Sequence, residues 1–281
     1  NSKFIKNYVK PSGAFYMGKW DKILEHQNFF KGSVKGVLID ENNAVDINTL
    51  SDIMYAESLL KNETEGKIVM KLRFLDLGRQ PIANNFLSRG DLESDEHMYN
   101  LAVTFDTQTK LVSLEEFVPP EMMFNDSYVY HSSMSATMRN HFREAAKSFQ
   151  RQFNPDTILE IGSNDGVFLK NFDTTSASSV EPCGNFAQLT SDLGYYTLPV
   201  FWSADSADNI LENRGPQDLV FSANCMCHIQ NLESAFNSVS NVLSETGVFV
   251  FEDPSLLKMI ERRSYDQIYD EHAHIFSVTA L

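Results

Sequence analysis

The stretch TILEIGSNDGVFLKNF, residues 157–172, decides the fold. Its apolar run ends at Gly162, and a second glycine, Gly166, follows four positions later. Glycine lets the backbone adopt positive φ and approach a ligand closely, and the start of a helix offers free N–H groups. The stretch therefore predicts a strand, a ligand-binding loop and a helix that begins after Gly166.

Downstream and upstream of this stretch, residues 127–281 alternate between strand and helix patterns. Helices are predicted at 135–153, after Gly166, and around NFAQLTSDLG and NLESAFNSVSNVL; further strands are predicted at 178–182, near YYTLPV, at 218–224 and at 247–254. Strands that alternate with helices imply parallel βαβ units. We therefore predict an α/β protein with a doubly wound, Rossmann-like sheet.

Two further segments precede the alternating region. Residues 63–126 are rich in strand patterns, and the alternation at Leu72, Phe74, Val103 and Phe105 predicts half-buried strands in a small sheet. The pattern of residues 1–62 predicts a short α/β piece of their own. The predicted domains are thus residues 1–62, 63–126 and 127–281.

Composition limits the class of protein and of partner. With 281 residues and 42% hydrophobic content, the chain can bury a sizeable core. Its formal net charge of −15 argues against nucleic acid or an anionic membrane as the partner. The three cysteines, Cys183, Cys225 and Cys227, do not suggest a disulfide framework, and we find neither a membrane-spanning apolar run nor a leader. We expect a soluble cytoplasmic protein.

The spacing of the glycines in the loop limits the classes of ligand that it could bind. It matches neither G-x-G-x-x-G nor a phosphate-binding P-loop, since no Lys-Ser or Lys-Thr follows Gly166. Glu181, at the end of the next predicted strand, can accept hydrogen bonds from both hydroxyls of a ribose. Together with the strand that ends in SANCMCHI, the loop resembles that of S-adenosylmethionine-dependent methyltransferases of the Rossmann-like class I. The alternative is an ordinary strand-to-helix turn with an incidental glutamate.

Five blocks carry a more specific resemblance over about residues 69–281. They are LDLGRQPIANNFL (75–87), FVPPEMMFNDSYVYHSSMSATMRNHF (117–142), ILEIGSNDGVFL (158–169), SANCMCHIQNL (222–232), and VFVFEDP (248–254) with SYDQIYDEHAHIFSVTAL (264–281). In this order they resemble the sugar C-methyltransferase family, which acts on nucleotide-linked 4-keto deoxysugars. The resemblance implies S-adenosylmethionine as cofactor and a nucleotide-sugar as the small-molecule partner.

The resemblance also implies the site residues. The acceptor carbon lies beside a ketone, so the reaction needs a general base and donors that stabilise an enolate oxygen. The implied catalytic residues are Tyr130, favoured over Tyr128, with His228, Tyr269, Glu271 and His272. The base could be a neutral imidazole or a tyrosinate, with Glu271 orienting it. The plainer interpretation of each is a hydrogen-bonded rim residue or a solvated turn.

The cofactor positions follow the loop and the strand ends. The implied cofactor-binding residues are Glu160, Gly162, Ser163, Asn164, Gly166, Glu181, Pro182 and Asn224. No metal is expected, because the two cysteine pairs that bind structural zinc in the family are missing. The chain has no cysteine before Cys183, and Asp106 and Thr109 stand where the second pair would be.

The ends of the chain carry a last set of expectations. GAFYM, NFFKGSVKG and VDINTLSD in residues 1–62 resemble the C-terminal tail of the CMP-sugar synthetases, with Asp46 on one family aspartate and Asn48 in place of the other. The family's last strands and acceptor domain do not follow residue 281. We therefore expect an internal piece of a fused protein, with a sheet edge that a second copy could pair with. The alternative function is a non-catalytic module that keeps the fold.

Overall fold

The computed structural model describes residues 71–93 and 95–281. The chain divides into two units, Asn1–Val69 and Met70–Leu281, and only the second is described below. The short α/β piece predicted at residues 1–62, with its resemblance to CMP-sugar synthetases, lies outside the described residues.

A small antiparallel sheet comes first in the described chain. Its strands β1 (Lys71–Pro81), β2 (Met98–Asp106) and β3 (Val112–Leu114) pair in sequence order. The fourth strand of the sheet lies far along the chain at His274–Ile275 and pairs with β3. That strand was not predicted, because two residues give no periodic signal and the pairing spans more than 150 positions.

The predicted half-burial of the small sheet is confirmed in β2 and wrong in β1. Val103 is fully buried and Phe105 is partly buried, whereas Leu72 and Phe74 are 48% and 58% exposed. The reason is position, since β1 is the edge strand and pairs with β2 alone among the described strands. An alternating pattern does not reveal whether its apolar face will be covered.

The second sheet has five parallel strands, which confirms the predicted doubly wound α/β class. Its strands in chain order are β4 (Ile158–Ile161), β5 (Ala177–Val180), β6 (Tyr196–Leu198), β7 (Gln217–Ala223) and β8 (Leu243–Glu252). The order across the sheet is β6-β5-β4-β7-β8, and all four pairings are parallel. The strand order therefore reverses between β4 and β7, where open α/β sheets bind ligands. The strand that pairs with β3 completes the set as β9.

Six helices pack around the two sheets in the described part of the chain. They are α1 (Pro120–Met123), α2 (Ala136–Phe153), α3 (Gly184–Asp192), α4 (Ala204–Arg214), α5 (Leu232–Val242) and α6 (Leu256–Arg262). Helix α2 confirms the helix predicted at 135–153, and the hydroxyl of Ser135 caps it by accepting a hydrogen bond from the N–H of Met138. Helices α1, α4 and α6 were not predicted. No helix among the described residues is long and apolar enough to span a bilayer.

The helix predicted after Gly166 is wrong. The chain forms consecutive turns and a single 3-10 turn at Leu169–Asn171 before β5 begins at Ala177. Few residues separate Gly166 from β5, and the carbonyl of Asp173 already closes the next turn with Ser176 and Ala177. A regular helix and its return loop would need a longer connection.

An aromatic cluster packs against the loop after β4. The rings of Phe168 and Phe221 lie 4.2 Å apart between centroids, and Phe142 and Phe149 surround them. Phe168, Phe221 and Phe142 are almost completely buried. Burial of each such ring contributes about 1.5–3 kcal/mol. The loop after β4 therefore packs on a buried aromatic cluster.

Candidate active site

A cavity of about 590 Å³ opens at the carboxyl ends of β4, β5 and β7. It lies at the point where the strand order of the parallel sheet reverses. Twelve of the thirteen residues predicted for the site line this cavity, namely Tyr130, Glu160, Gly162, Ser163, Asn164, Glu181, Pro182, Asn224, His228, Tyr269, Glu271 and His272. Candidate cofactor and acceptor residues thus share one cavity.

Gly162 is required by the backbone and by its surroundings. Its φ is +75°, and a Cβ at this position would lie 2.7 Å from Sγ of Cys225, at the end of β7. Gly166 also has positive φ, but it does not line the cavity, and a Cβ there would lie 2.9 Å from Thr190 of α3. The first glycine shapes the ligand loop, and the second lets the turn pack on α3.

The carboxylate of Glu181 is held at the end of β5 by two backbone donors. The N–H of Asn164 donates to its Oε2 at 2.7 Å, and the N–H of Cys183 donates to its Oε1 at 2.9 Å. These bonds lower the pKa of Glu181, but burial outweighs them and leaves it raised. Each oxygen keeps a second lone pair, so the carboxylate can still accept from a ligand hydroxyl.

Two buried polar groups beside Glu181 have no partner among the described residues. They are Oε2 of Glu160 and the hydroxyl of Ser163. Burial, and then the charge of Glu181, raise the pKa of Glu160 well above its usual value. Buried polar atoms normally have partners, so these two fit a bound polar ligand. Together with Glu181 and the glycine loop, they fit a nucleoside cofactor with an amino-acid portion.

A connecting segment, residues 128–133, is fastened to the loop. The N–H of Ser132 donates to Oδ1 of Asn164 at 2.9 Å, and Nδ2 of Asn164 donates to the carbonyl of Tyr130 at 2.9 Å. The N–H of Ser133 donates to the buried carboxylate of Asp165. These bonds fix the segment that carries both candidate tyrosines against the cofactor loop.

Tyr128 reaches the acidic residue of the second cluster. Its hydroxyl donates to Oε2 of Glu271 at 3.0 Å, and the amide of Asn84 donates to Oε1. Tyr130, favoured from the sequence, lines the same cavity but is 53% exposed. Burial, and then the charge of Glu271, raise the pKa of Tyr128, so its phenol stays protonated.

Tyr269 and His272 form a hydrogen-bonded pair with an assigned direction. Nδ1 of His272 lies 2.8 Å from the carbonyl of Gln267, which can only accept, so Nδ1 carries the proton. Nε2 therefore accepts from the hydroxyl of Tyr269 at 3.1 Å. Burial lowers the pKa of His272 and raises that of Tyr269, so both groups are neutral.

His228 stacks between two rings at the wall of the cavity. Its ring centroid lies 5.0 Å from that of Phe124 and 5.2 Å from that of His272. Burial lowers the pKa of His228 to about 3, and its Nε2 has no partner among the described residues. The imidazole is therefore neutral and presents an unused nitrogen in the same region as His272.

One group of side chains among the described residues brings three possible metal-ligand atoms together. Donor atoms of Cys227, His228 and His272 come within 4.8 Å of one another, and burial raises the pKa of the Cys227 thiol well above its usual value. In the hairpin after β2, Oδ1 of Asp106 accepts from the N–H groups of Gln108 and Thr109. The Asp106 carboxylate therefore closes the hairpin turn at the position where the family has its second cysteine pair.

Several cavity residues were not found from the sequence. Asn84 lies in the block LDLGRQPIANNFL, and Tyr128 is the tyrosine that the sequence disfavours against Tyr130; only the fold places them beside Glu271. Trp202 also lines the cavity, from the turn before α4. The pair of asparagines shortly after β1, Asn84 and Asn85, is the sequence feature that could have indicated Asn84 as a site residue.

Two family profiles match the chain. One is described as a putative zinc binding domain and matches residues 70–124; the other is described as a methyltransferase domain and matches residues 130–281. Neither reaches the N-terminal residues 1–69. The first of these segments contains no cysteine, so it does not offer the thiolate ligands that its family description implies.

Individual proteins are similar to the chain as well. The C-methyltransferase NovU of Streptomyces niveus is 27% identical over 215 residues, which is 75% of this chain and 51% of that protein. The plantazolicin methyltransferase BamL, solved with SAH, is 16% identical with a TM-score of 0.38 over 49% of this chain and 57% of its own. The sugar N-methyltransferase KedS8 from Streptoalloteichus is 17% identical with a TM-score of 0.33 over 43% and 49%. The chain spans about half the length of the curated relative it matches.

Proposed function

We propose that this chain, which belongs to the methyltransferase domain family, uses S-adenosylmethionine as cofactor and methylates a carbon of a nucleotide-linked keto sugar. The observation that carries the proposal is the shared cavity, in which the loop after β4 and the Tyr269–His272 pair face one space. The similarity to a C-methyltransferase supports carbon as the acceptor atom.

The cofactor half of the cavity would hold the nucleoside. Glu181 would accept from the ribose hydroxyls. Glu160 and Ser163 would meet the amino-acid end, because Oε2 of Glu160 and the Ser163 hydroxyl have no partner among the described residues. When bound, S-adenosylmethionine supplies an electrophilic methyl group on its sulfonium. The protein has to place a nucleophilic carbon opposite that group.

The acceptor half would remove the proton beside the ketone. The hydroxyl of Tyr269 takes the carbon's proton as its own proton passes to Nε2 of His272, which leaves an enolate on the sugar and an imidazolium on the protein. This assignment uses a neutral imidazole rather than a resting tyrosinate, because burial keeps the phenol protonated and the imidazole neutral. The Gln267 carbonyl holds the His272 tautomer that the transfer needs.

Two measurements test the proposal. Calorimetry with S-adenosylhomocysteine should show binding to the 281-residue chain. A nucleotide-linked 4-keto deoxysugar incubated in D₂O with the protein and S-adenosylhomocysteine should exchange the proton beside the ketone, as followed by NMR. Binding without exchange would favour the non-catalytic module, and no binding at millimolar concentration would contradict the assigned cofactor site.

A further inference from the structure

The small sheet does not merely flank the cavity, because it holds the acceptor cluster at two points. The N–H of Ala83, just after β1, donates to Oδ1 of Asp270 at 3.1 Å. At the other end, β9 pairs with β3, and the hydroxyl of Ser113 lies 2.9 Å from Nδ1 of His274. The segment with Tyr269, Glu271 and His272 is therefore attached to the small sheet at two points, Asp270 and the strand β9.

Asn84 extends this attachment into the cavity itself. Its Nδ2 donates to Oε1 of Glu271 at 2.5 Å, and Asn84 lines the same space as the Tyr269–His272 pair. The other carboxylate oxygen of Glu271 accepts from Tyr128. Glu271 is only 2% exposed, so the two donors hold a carboxylate that has little contact with solvent. A buried carboxylate without such donors would lose its orientation and favour its protonated form.

We propose that Asn84 is a positioning residue of the acceptor site, which makes the small sheet a working part of the active site. The inference rests on the proposed function for what the site methylates, but its geometry does not. This role would belong to the segment that lacks the zinc-binding cysteines. The chain just after β1 carries Ala83 and Asn84, which contact the Asp270–Glu271 turn.

The neighbouring asparagine provides a matched control. Asn85 is exposed, and only backbone atoms make its hydrogen bond to Ile82. Asn84→Ala removes the donor to Glu271, and the nearly isosteric Asn84→Asp replaces it with a carboxyl group. Asn85→Ala and Asn85→Asp make the same chemical changes one residue away, outside the cavity lining.

The first readout needs no acceptor. In the 281-residue chain with ¹³C-labelled glutamate, the Glu271 carboxyl signal, assigned by its loss in Glu271→Gln, is titrated by NMR. Burial raises the pKa of Glu271, and the Asn84 hydrogen bond is the leading effect that lowers it. Its titration should therefore move to higher pH in Asn84→Ala and further in Asn84→Asp, with both Asn85 variants unchanged. An unchanged titration in both Asn84 variants would overturn the proposal.

The second readout uses methyl transfer. Loss of a hydrogen bond to a charged group should lower kcat about tenfold in Asn84→Ala and shift the acidic limb of the pH profile upward, while affinity for S-adenosylhomocysteine stays within about twofold. A fall in cofactor affinity equal to the fall in kcat would point to a general structural defect and contradict a positioning role. If the unaltered chain methylates no keto sugar nucleotide, the proposed function fails, whereas the titration still decides the role of Asn84.

Discussion

The two halves of the cavity are built in different ways. The cofactor half is made mainly by residues near each other in sequence, from Glu160 to Pro182, with Asn224 just after β7, at adjacent strand ends of one sheet. The acceptor half is assembled from Asn84, Tyr128 and the 269–272 turn, which are joined by hydrogen bonds that span more than 140 positions. The first half can therefore form with the parallel sheet alone, whereas the second requires both sheets to be in place.

The largest effect is expected in the acceptor half. His272→Ala removes the nitrogen that accepts from Tyr269, and loss of a general base typically lowers a rate about 10²- to 10⁴-fold. Methyl transfer should fall by that factor, while calorimetry should give an unchanged affinity for S-adenosylhomocysteine. Equal losses in both quantities would mean that the two halves are not separable.

The next effect belongs to the cofactor half. Gly162→Ala adds a Cβ 2.7 Å from Sγ of Cys225 at a φ of +75°, so both strain and overlap oppose it. Its cost should be about 3 kcal/mol of unfolding free energy, measured with urea, and S-adenosylhomocysteine binding should weaken sharply. Gly215→Ala is the control, since Gly215 has a φ of +73° with nothing within 4 Å of the added carbon. Equal costs for the two variants would remove the role of the contact with Cys225.

A smaller effect distinguishes the two tyrosines. Tyr128→Phe removes the donor to Oε2 of Glu271 and should lower kcat about tenfold. Tyr130→Phe should change kcat by less than about twofold. Tyr130 is half exposed, and its contact with the loop is made by its backbone carbonyl, which the substitution leaves in place. A larger loss of kcat in Tyr130→Phe than in Tyr128→Phe would instead favour Tyr130 as the catalytic tyrosine, as the sequence predicts.

The smallest effect concerns pH and stability. Burial lowers the pKa of His228 from 6.5 to about 3, so the unfolded chain binds a proton there that the folded chain does not. The resulting stability is present above pH 6.5 and is lost as the pH falls toward 3. Between pH 7.5 and 5.5, unfolding free energy should fall by about 1 kcal/mol more in the unaltered chain than in His228→Gln. Urea titrations at both pH values measure this difference, and the exposed His97→Gln serves as the control. Parallel slopes for the unaltered chain and His228→Gln would show that His228 is not buried in its neutral form.

The same contrast explains how much the sequence could predict. Gly162, Glu181 and the parallel sheet follow from local patterns, because a strand, a glycine turn and a strand-end acid lie close together in sequence. The turns after Gly166 and the exposure of β1 do not, since they depend on connection length and on which face is covered. The contact of Asn84 with Glu271 depends on β9 joining the small sheet, a pairing that two residues cannot signal.

The most direct test of the shared cavity is one transfer experiment. The chain is mixed with S-adenosylmethionine carrying a ¹³C-labelled methyl group and a nucleotide-linked 4-keto deoxysugar, and the product is examined by carbon NMR. We predict a labelled methyl group bonded to the sugar carbon beside the ketone. A label on oxygen or nitrogen, or no labelled sugar while S-adenosylhomocysteine still binds, would contradict the proposal that the two halves act together on carbon.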